Sequence, residues 1–169
     1  MPFNRHWTVH YERAGIAETD ATRFIGHLLK LIRDFARNKI GRFSAIWVRE
    51  SGDGKGGHVH ILMHLPIGAD LTGRTRRWVN LAGGKCRSKV SRVRSIGGSL
   101  ATAESGGQHY RNNAQVVQQY ILKGASRDAG EALDLPRYGE RGHIVGKRCG
   151  RTQNIGLAAR KRQAYGKER

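Results

Sequence analysis

The eight residues His58-Val59-His60-Ile61-Leu62-Met63-His64-Leu65 alternate in a way that few folds can use. Side chains of an extended strand point to opposite faces in turn, so Val59, Ile61, Met63 and Leu65 share one face and His58, His60, Leu62 and His64 the other. The first face is apolar and needs a cover. The second presents imidazoles, which need polar partners when buried. His58 and His60 stand about 7 Å apart at their Cα atoms, close enough for both rings to reach one divalent ion, whereas His64 lies about 20 Å from His58 and cannot join them.

A third ligand comes from the segment before. Phe43 to Arg49 reads as a strand ended by Glu50, and Gly52 to Gly57 as a hairpin loop that returns Glu50 to the start of the histidine strand. Two imidazoles and one carboxylate leave coordination positions open. Such a site suits Mn2+ or Mg2+ acting as a Lewis acid on a phosphate, although imidazoles also accept Zn2+ or Ni2+.

Around this hairpin, strands and helices alternate. His6 to Tyr11 is short, aromatic and β-branched and suits an opening strand. Asp20 is placed to cap a helix through about Asn38, in which Phe24, Leu28, Leu31, Ile32 and Phe35 share one face and Gly41 marks the stop. Thr72 to Leu81 reads as a basic helix around Trp78. Lys89 to Ile96 reads as a half-exposed strand whose arginines face out together, and Gly97 to Gly107 as a loop. Asn112 or Asn113 then starts a helix carrying Val116, Val117, Tyr120 and Ile121, closed by Gly124. The expected fold is an α+β sandwich, an antiparallel sheet with helices packed on one face and the other face open for a substrate. Residues 1–140 read as one domain and 141–169 as a basic C-terminal extension, which either finishes that domain or holds DNA backbone.

Thirty-one Lys and Arg against 13 Asp and Glu give a formal net charge of +18. So basic a chain repels itself unless it meets a polyanion, which points to nucleic acid. The charge is concentrated: Arg74 to Arg94 holds eight basic and no acidic residues, and Lys147 to Arg169 holds eight against Glu168 alone. Candidate phosphate contacts are therefore Arg74, Arg76, Arg77, Lys89, Arg92 and Arg94 in the first stretch and Lys147, Arg148 and Arg151 in the second. Cys86 and Cys149 lack the paired spacing of a zinc site or disulfide framework and read as reduced thiols. No apolar run is long enough to span a bilayer and nothing at the N-terminus resembles a signal peptide, so a soluble, cytoplasmic protein is expected.

Tyr120 and Lys123, three residues apart, share a helix face. A phenol of pKa about 10 is only about one part in a thousand ionised at pH 7, a deficit of roughly 4 kcal/mol for a nucleophile. A neighbouring ammonium favours the phenolate, and a divalent ion neutralises charge growing on the phosphoryl oxygens.

Taken together, Glu50…His58-Val59-His60…Tyr120-Ile121-Leu122-Lys123, with Trp7-Thr8-Val9-His10-Tyr11 as opening strand, resembles the HUH endonuclease superfamily over roughly residues 6–124. It looks most like the single-tyrosine replication-initiator (Rep) branch. The resemblance implies an RRM-like, ferredoxin-like sandwich, with Glu50, His58 and His60 holding Mn2+ or Mg2+. It implies that Tyr120, aided by Lys123, attacks single-stranded DNA at a replication origin, such as an origin hairpin. The enzyme would keep the 5′ end as a phosphotyrosine and release a 3′ hydroxyl that primes rolling-circle replication. No Gly-x-x-x-x-Gly-Lys-Ser/Thr loop is present, so helicase and polymerase would come from the host. No membrane and no small-molecule substrate is implied. A single-tyrosine HUH transposase is the alternative within the superfamily, but Lys123 stands against the glutamine four residues past the tyrosine that such enzymes carry. A non-catalytic basic nucleic-acid-binding protein would need the charge and not the convergence of Glu50, His58, His60 and Tyr120. Tyr110 reads as structural or as a base-stacking residue.

Overall fold

The computed structural model describes residues 2–39, 41, 43–52, 54–66, 69–98, 107–139 and 142–159. Its strands are β1 (Arg5–Val9), β2 (Ser44–Glu50), β3 (His58–His64), β4 (Ser91–Ser95) and β5 (Cys149–Arg151), and its helices are α1 (Ala21–Lys39), α2 (Arg74–Leu81), α3 (Gln108–Leu122) and α4 (Arg127–Ala132). The strands form one antiparallel sheet in the order β4-β1-β3-β2-β5. The first four follow the βαββαβ order of a ferredoxin-like α+β sandwich, and β5 extends the sheet beyond β2.

The alternation in β3 sets the two faces. Val59, Ile61 and Met63, with Trp7 and Val9 of β1, are fully buried under α1 and α2. Helix α1 contributes Phe24, Ile25, Leu28, Ile32 and Ala36, close to the expected stripe, although Leu31 and Phe35 lie at its margin, half-buried. Trp78 anchors α2, its ring 6.0 Å from Trp7 and 5.6 Å from Phe35. Asp20 ends a short 3-10 turn (Glu18–Asp20) just before α1, and its carboxylate accepts from Arg23 at 2.9 Å. Gly41 stops the helix with φ 91°, a backbone shape that side chains disfavour.

The opposite face is only partly open. Helix α3 lies across it on a smaller apolar cluster of Leu62, Ile96 and Ile121, flanked by Phe3, Ile46, Tyr110 and Val117. The helix begins at Gln108 after Gly107, earlier than expected, so Asn112 and Asn113 sit inside it. Tyr110 is structural here: its hydroxyl donates to the Phe3 carbonyl at 2.9 Å.

The segment 142–159 completes the sheet. Ile46 pairs with Arg151 and Val48 with Cys149, and the Thr152 amide donates to Ala45 O at 2.9 Å. Arg49, fully buried at the helix side of β2, fastens this segment. Its guanidinium donates to the carbonyls of Val145 (2.8 Å), Lys147 (3.1 Å) and Glu18 (3.1 Å), to the Thr22 hydroxyl (3.1 Å) and to the Glu18 carboxylate. At Gly142 a Cβ atom would fall 1.7 Å from the Ser51 carbonyl oxygen, so only glycine fits there. Both cysteines are free thiols. Among the described residues no helix is long and apolar enough to cross a membrane.

Candidate metal centre and tyrosine site

The β2–β3 hairpin places Glu50 directly opposite His58 and Val48 opposite His60. Glu50 Oε2 is 3.3 Å from His58 Nε2 and 3.6 Å from His60 Nε2, all three residues are buried, and one ligand atom from each lies within 4.8 Å of the others. His58 Nδ1 donates to the Gly56 carbonyl at 2.9 Å. A carbonyl can only accept, so neutral His58 carries its proton on Nδ1 and turns the Nε2 lone pair toward Glu50. Among the described residues, two buried atoms at the cluster, Glu50 Oε1 and His60 Nε2, have no hydrogen-bond partner. Unmatched polar atoms are costly in a folded interior. Their convergence, with one oxygen and two imidazole donors, fits a divalent ion.

Behind these ligands lies a row that sequence reading left without a role. His6 and Thr8 of β1 project to the same face, opposite Leu62 and His60. His6 Nε2 and Thr8 Oγ1 both lie 3.0 Å from His60 Nδ1. The ring of His10 stacks on His58 at 5.0 Å between centroids. The spacing His6-Thr8-His10 is itself a period-2 signal, enough to put these three side chains on one face of their strand but not to name the neighbouring strand.

Helix α3 brings the tyrosine. The ring of Tyr120 meets His60 edge-on with centroids 5.1 Å apart, and 39% of the residue remains exposed. Lys123, at the C-terminal end of α3, places Nζ 4.2 Å from the Tyr120 ring centre and donates to Glu50 Oε2 at 2.9 Å. The expected five residues thus converge.

Burial disfavours the Glu50 carboxylate, yet the neighbouring His58, His60 and Lys123 outweigh it and hold the acid well below the usual carboxylate range. Burial also opposes the Lys123 charge, but Glu50 and Tyr120 raise its pKa above the ordinary value. Burial, with His58 and Lys123 adding to it, lowers His60 despite Glu50. Burial, His60 and Arg94 push His6 down to about 4. Burial, then His58 and Arg13, lowers His10. His6, His10 and His60 therefore favour their neutral forms near neutral pH.

The cluster opens into a groove of about 750 Å3. Lys89, Arg92 and Arg94 line it, as do Arg13 and Lys55, which sequence reasoning did not single out. Val116, Val117 and Asn113 of α3 form the opposite wall with Tyr120. The remaining basic candidates are elsewhere. Arg74, Arg76 and Arg77 lie on α2, on the helix-covered side of the sheet, where the Arg74 guanidinium sits 4.5 Å from the Phe35 ring centre. Lys147 reaches toward Trp47 on that same side, Arg148 donates to the Gly142 carbonyl at 2.8 Å, and Arg151 folds beside Gly156. None of these six lines the groove.

Comparison with family models, with curated proteins and with solved structures finds no match for the chain.

Proposed function

We propose that this protein is a metal-dependent endonuclease of the HUH kind that nicks and rejoins single-stranded DNA through Tyr120. The observation that carries this reading is the meeting of an exposed tyrosine with a buried Glu50–His58–His60 cluster whose Glu50 Oε1 and His60 Nε2 lack partners among the described residues. Partnerless oxygen and nitrogen atoms gathered at one point are what a bound cation would satisfy.

In this reading the groove binds DNA backbone through Arg13, Lys55, Lys89, Arg92 and Arg94, with the scissile phosphate beside Tyr120. The phenolic oxygen loses its proton and forms the new P–O bond as the P–O3′ bond breaks, and the departing 3′ oxygen takes up a proton. The 5′ end stays on Tyr120 and the freed 3′ hydroxyl primes synthesis. The reverse attack rejoins the strand. Lys123 sits where its charge favours the phenolate and then the phosphotyrosine. Mn2+ or Mg2+ at Glu50, His58 and His60 would supply Lewis-acid stabilisation of the phosphoryl oxygens. By resemblance, the substrate is a replication origin and the further partners are a host helicase and polymerase.

The test uses the full chain with Mn2+ and end-labelled single-stranded oligonucleotides from its genetic neighbourhood, resolved on a denaturing protein gel. A shifted band carrying only the DNA 3′ of the nick, lost with chelator and with Tyr120→Phe, is expected. Nicking by Tyr120→Phe overturns the nucleophile. Tight, salt-sensitive binding with no adduct on any oligonucleotide makes the protein a binding module.

A further inference from the structure

We infer that His6 is a positioning residue for the metal centre: by accepting the Nδ1–H of His60, it fixes the tautomer whose Nε2 lone pair faces Glu50. The inference rests on the metal-binding part of the reading above and adds a residue that the resemblance does not supply.

The two ligand histidines are held differently. The Nδ1 proton of His58 is assigned by a main-chain carbonyl, that of Gly56, which has no other role open to it. His60 Nδ1 instead faces two side chains at 3.0 Å, His6 Nε2 and Thr8 Oγ1. A hydroxyl donates or accepts, so Thr8 alone leaves the proton unassigned. His6 decides. With its own proton on Nδ1, His6 presents an Nε2 lone pair and His60 donates from Nδ1. With its proton on Nε2, His6 donates, and His60 must carry its proton on Nε2, pointing at Glu50 Oε2 3.6 Å away. Both rings are neutral in either arrangement, and each passes one proton between its own nitrogens through solvent. Only the first arrangement leaves a ligating lone pair on His60 Nε2 facing the Glu50 carboxylate. Outer-shell partners of this type govern ligand orientation and basicity in known metal sites.

The experiment measures Mn2+ affinity by calorimetry on the full chain and on His6→Leu and His6→Gln. Glutamine retains an acceptor oxygen near the Nε2 position and leucine does not. His6→Leu should bind Mn2+ roughly ten- to a hundredfold more weakly, and His6→Gln close to wild type, with equal melting temperatures in chelator. Equal Mn2+ affinity in wild type and His6→Leu overturns the inference, as does a glutamine variant as weak as leucine. A second measurement needs no variant. In the 15N-labelled wild type loaded with diamagnetic Zn2+, His60 Nδ1 should show a protonated shift and a scalar coupling to His6 Nε2. A proton on His6 Nε2 instead overturns the inference. If the wild type binds neither ion, the metal-centre reading itself falls. If it binds both and His6 does not matter, only the role of His6 is lost.

Discussion

The two faces of the sheet are made from the same strands and obey different rules. Toward α1 and α2, β1 and β3 present Trp7, Val9, Val59, Ile61 and Met63, all fully buried, and the layer closes without titratable groups from β3. Toward α3, the same strands present His6, Thr8, His58 and His60, and the apolar contact shrinks to Leu62, Ile96, Ile121 and their margin. One face lowers the free energy of the fold. The other gathers buried imidazole and carboxylate groups in place of apolar ones, at a cost in stability. The small cluster under α3 serves to seat Tyr120 against His60.

Adjacent residues of β3 provide the sharpest way to break this contrast. Ile61→Ala, in the large core, should cost about 4 kcal/mol, whereas Leu62→Ala should cost about 2 kcal/mol because its smaller cluster can collapse. Urea unfolding measures both. The adduct assay should reverse the order, with folded Ile61→Ala reacting normally and Leu62→Ala slowed as α3 loses its seat. Equal loss of activity in both would show that the faces are not separable.

Charge offers a second, smaller test. Arg92 and Arg94 line the groove, while Arg76 and Arg77 occupy the far side. Replacing Arg92 or Arg94 with alanine should reduce the salt slope of single-strand binding by about 1 each. The pair Arg76 and Arg77 should leave it unchanged, and an equal drop would bring the far side into the interface.

The smallest effect is on the pH–stability profile in chelator, where the two faces should control opposite limbs. His6 is pushed down to about 4 from 6.5. The folded chain therefore binds fewer protons than the unfolded one in that window. Its contribution is complete above about 6.5 and is lost as pH falls toward 4. Tyr11, buried in the main core and donating to Glu18 at 2.6 Å, is raised by burial from 10 to about 12. Its contribution is complete below 10 and is lost as pH rises through 12. Urea midpoints across pH should show His6→Gln flattening only the acid limb and Tyr11→Phe only the alkaline one.

The parts legible in the sequence were those carried by short-range pattern. Alternation in β3, a glycine hairpin and the Tyr120–Lys123 interval located the cluster because each needs only a local period. His6 and Thr8 escaped because their partner, His60, is 54 and 52 residues away, and nothing local marks an imidazole as an acceptor. Strand β5 escaped because Cys-Gly-Arg has little strand propensity; it forms where the edge of β2 and the Arg49 guanidinium receive it. The arginines of α2 were grouped with those of β4 because charge density along a chain carries no facing information, and Trp78 turns that helix to the other side.

Arg49 also ties together parts of the chain that are far apart in sequence. Its acceptors come from Glu18 and Thr22 early in the chain and from Val145 and Lys147 late in it. A buried guanidinium needs its acceptors, and two of the five that Arg49 uses belong to residues 145–147. Glu50 is the next residue. Residues 145–147, which touch no proposed ligand, are thus joined to the metal cluster through one side chain and one peptide bond, and on the proposed reading a change there reaches Glu50 without entering the site.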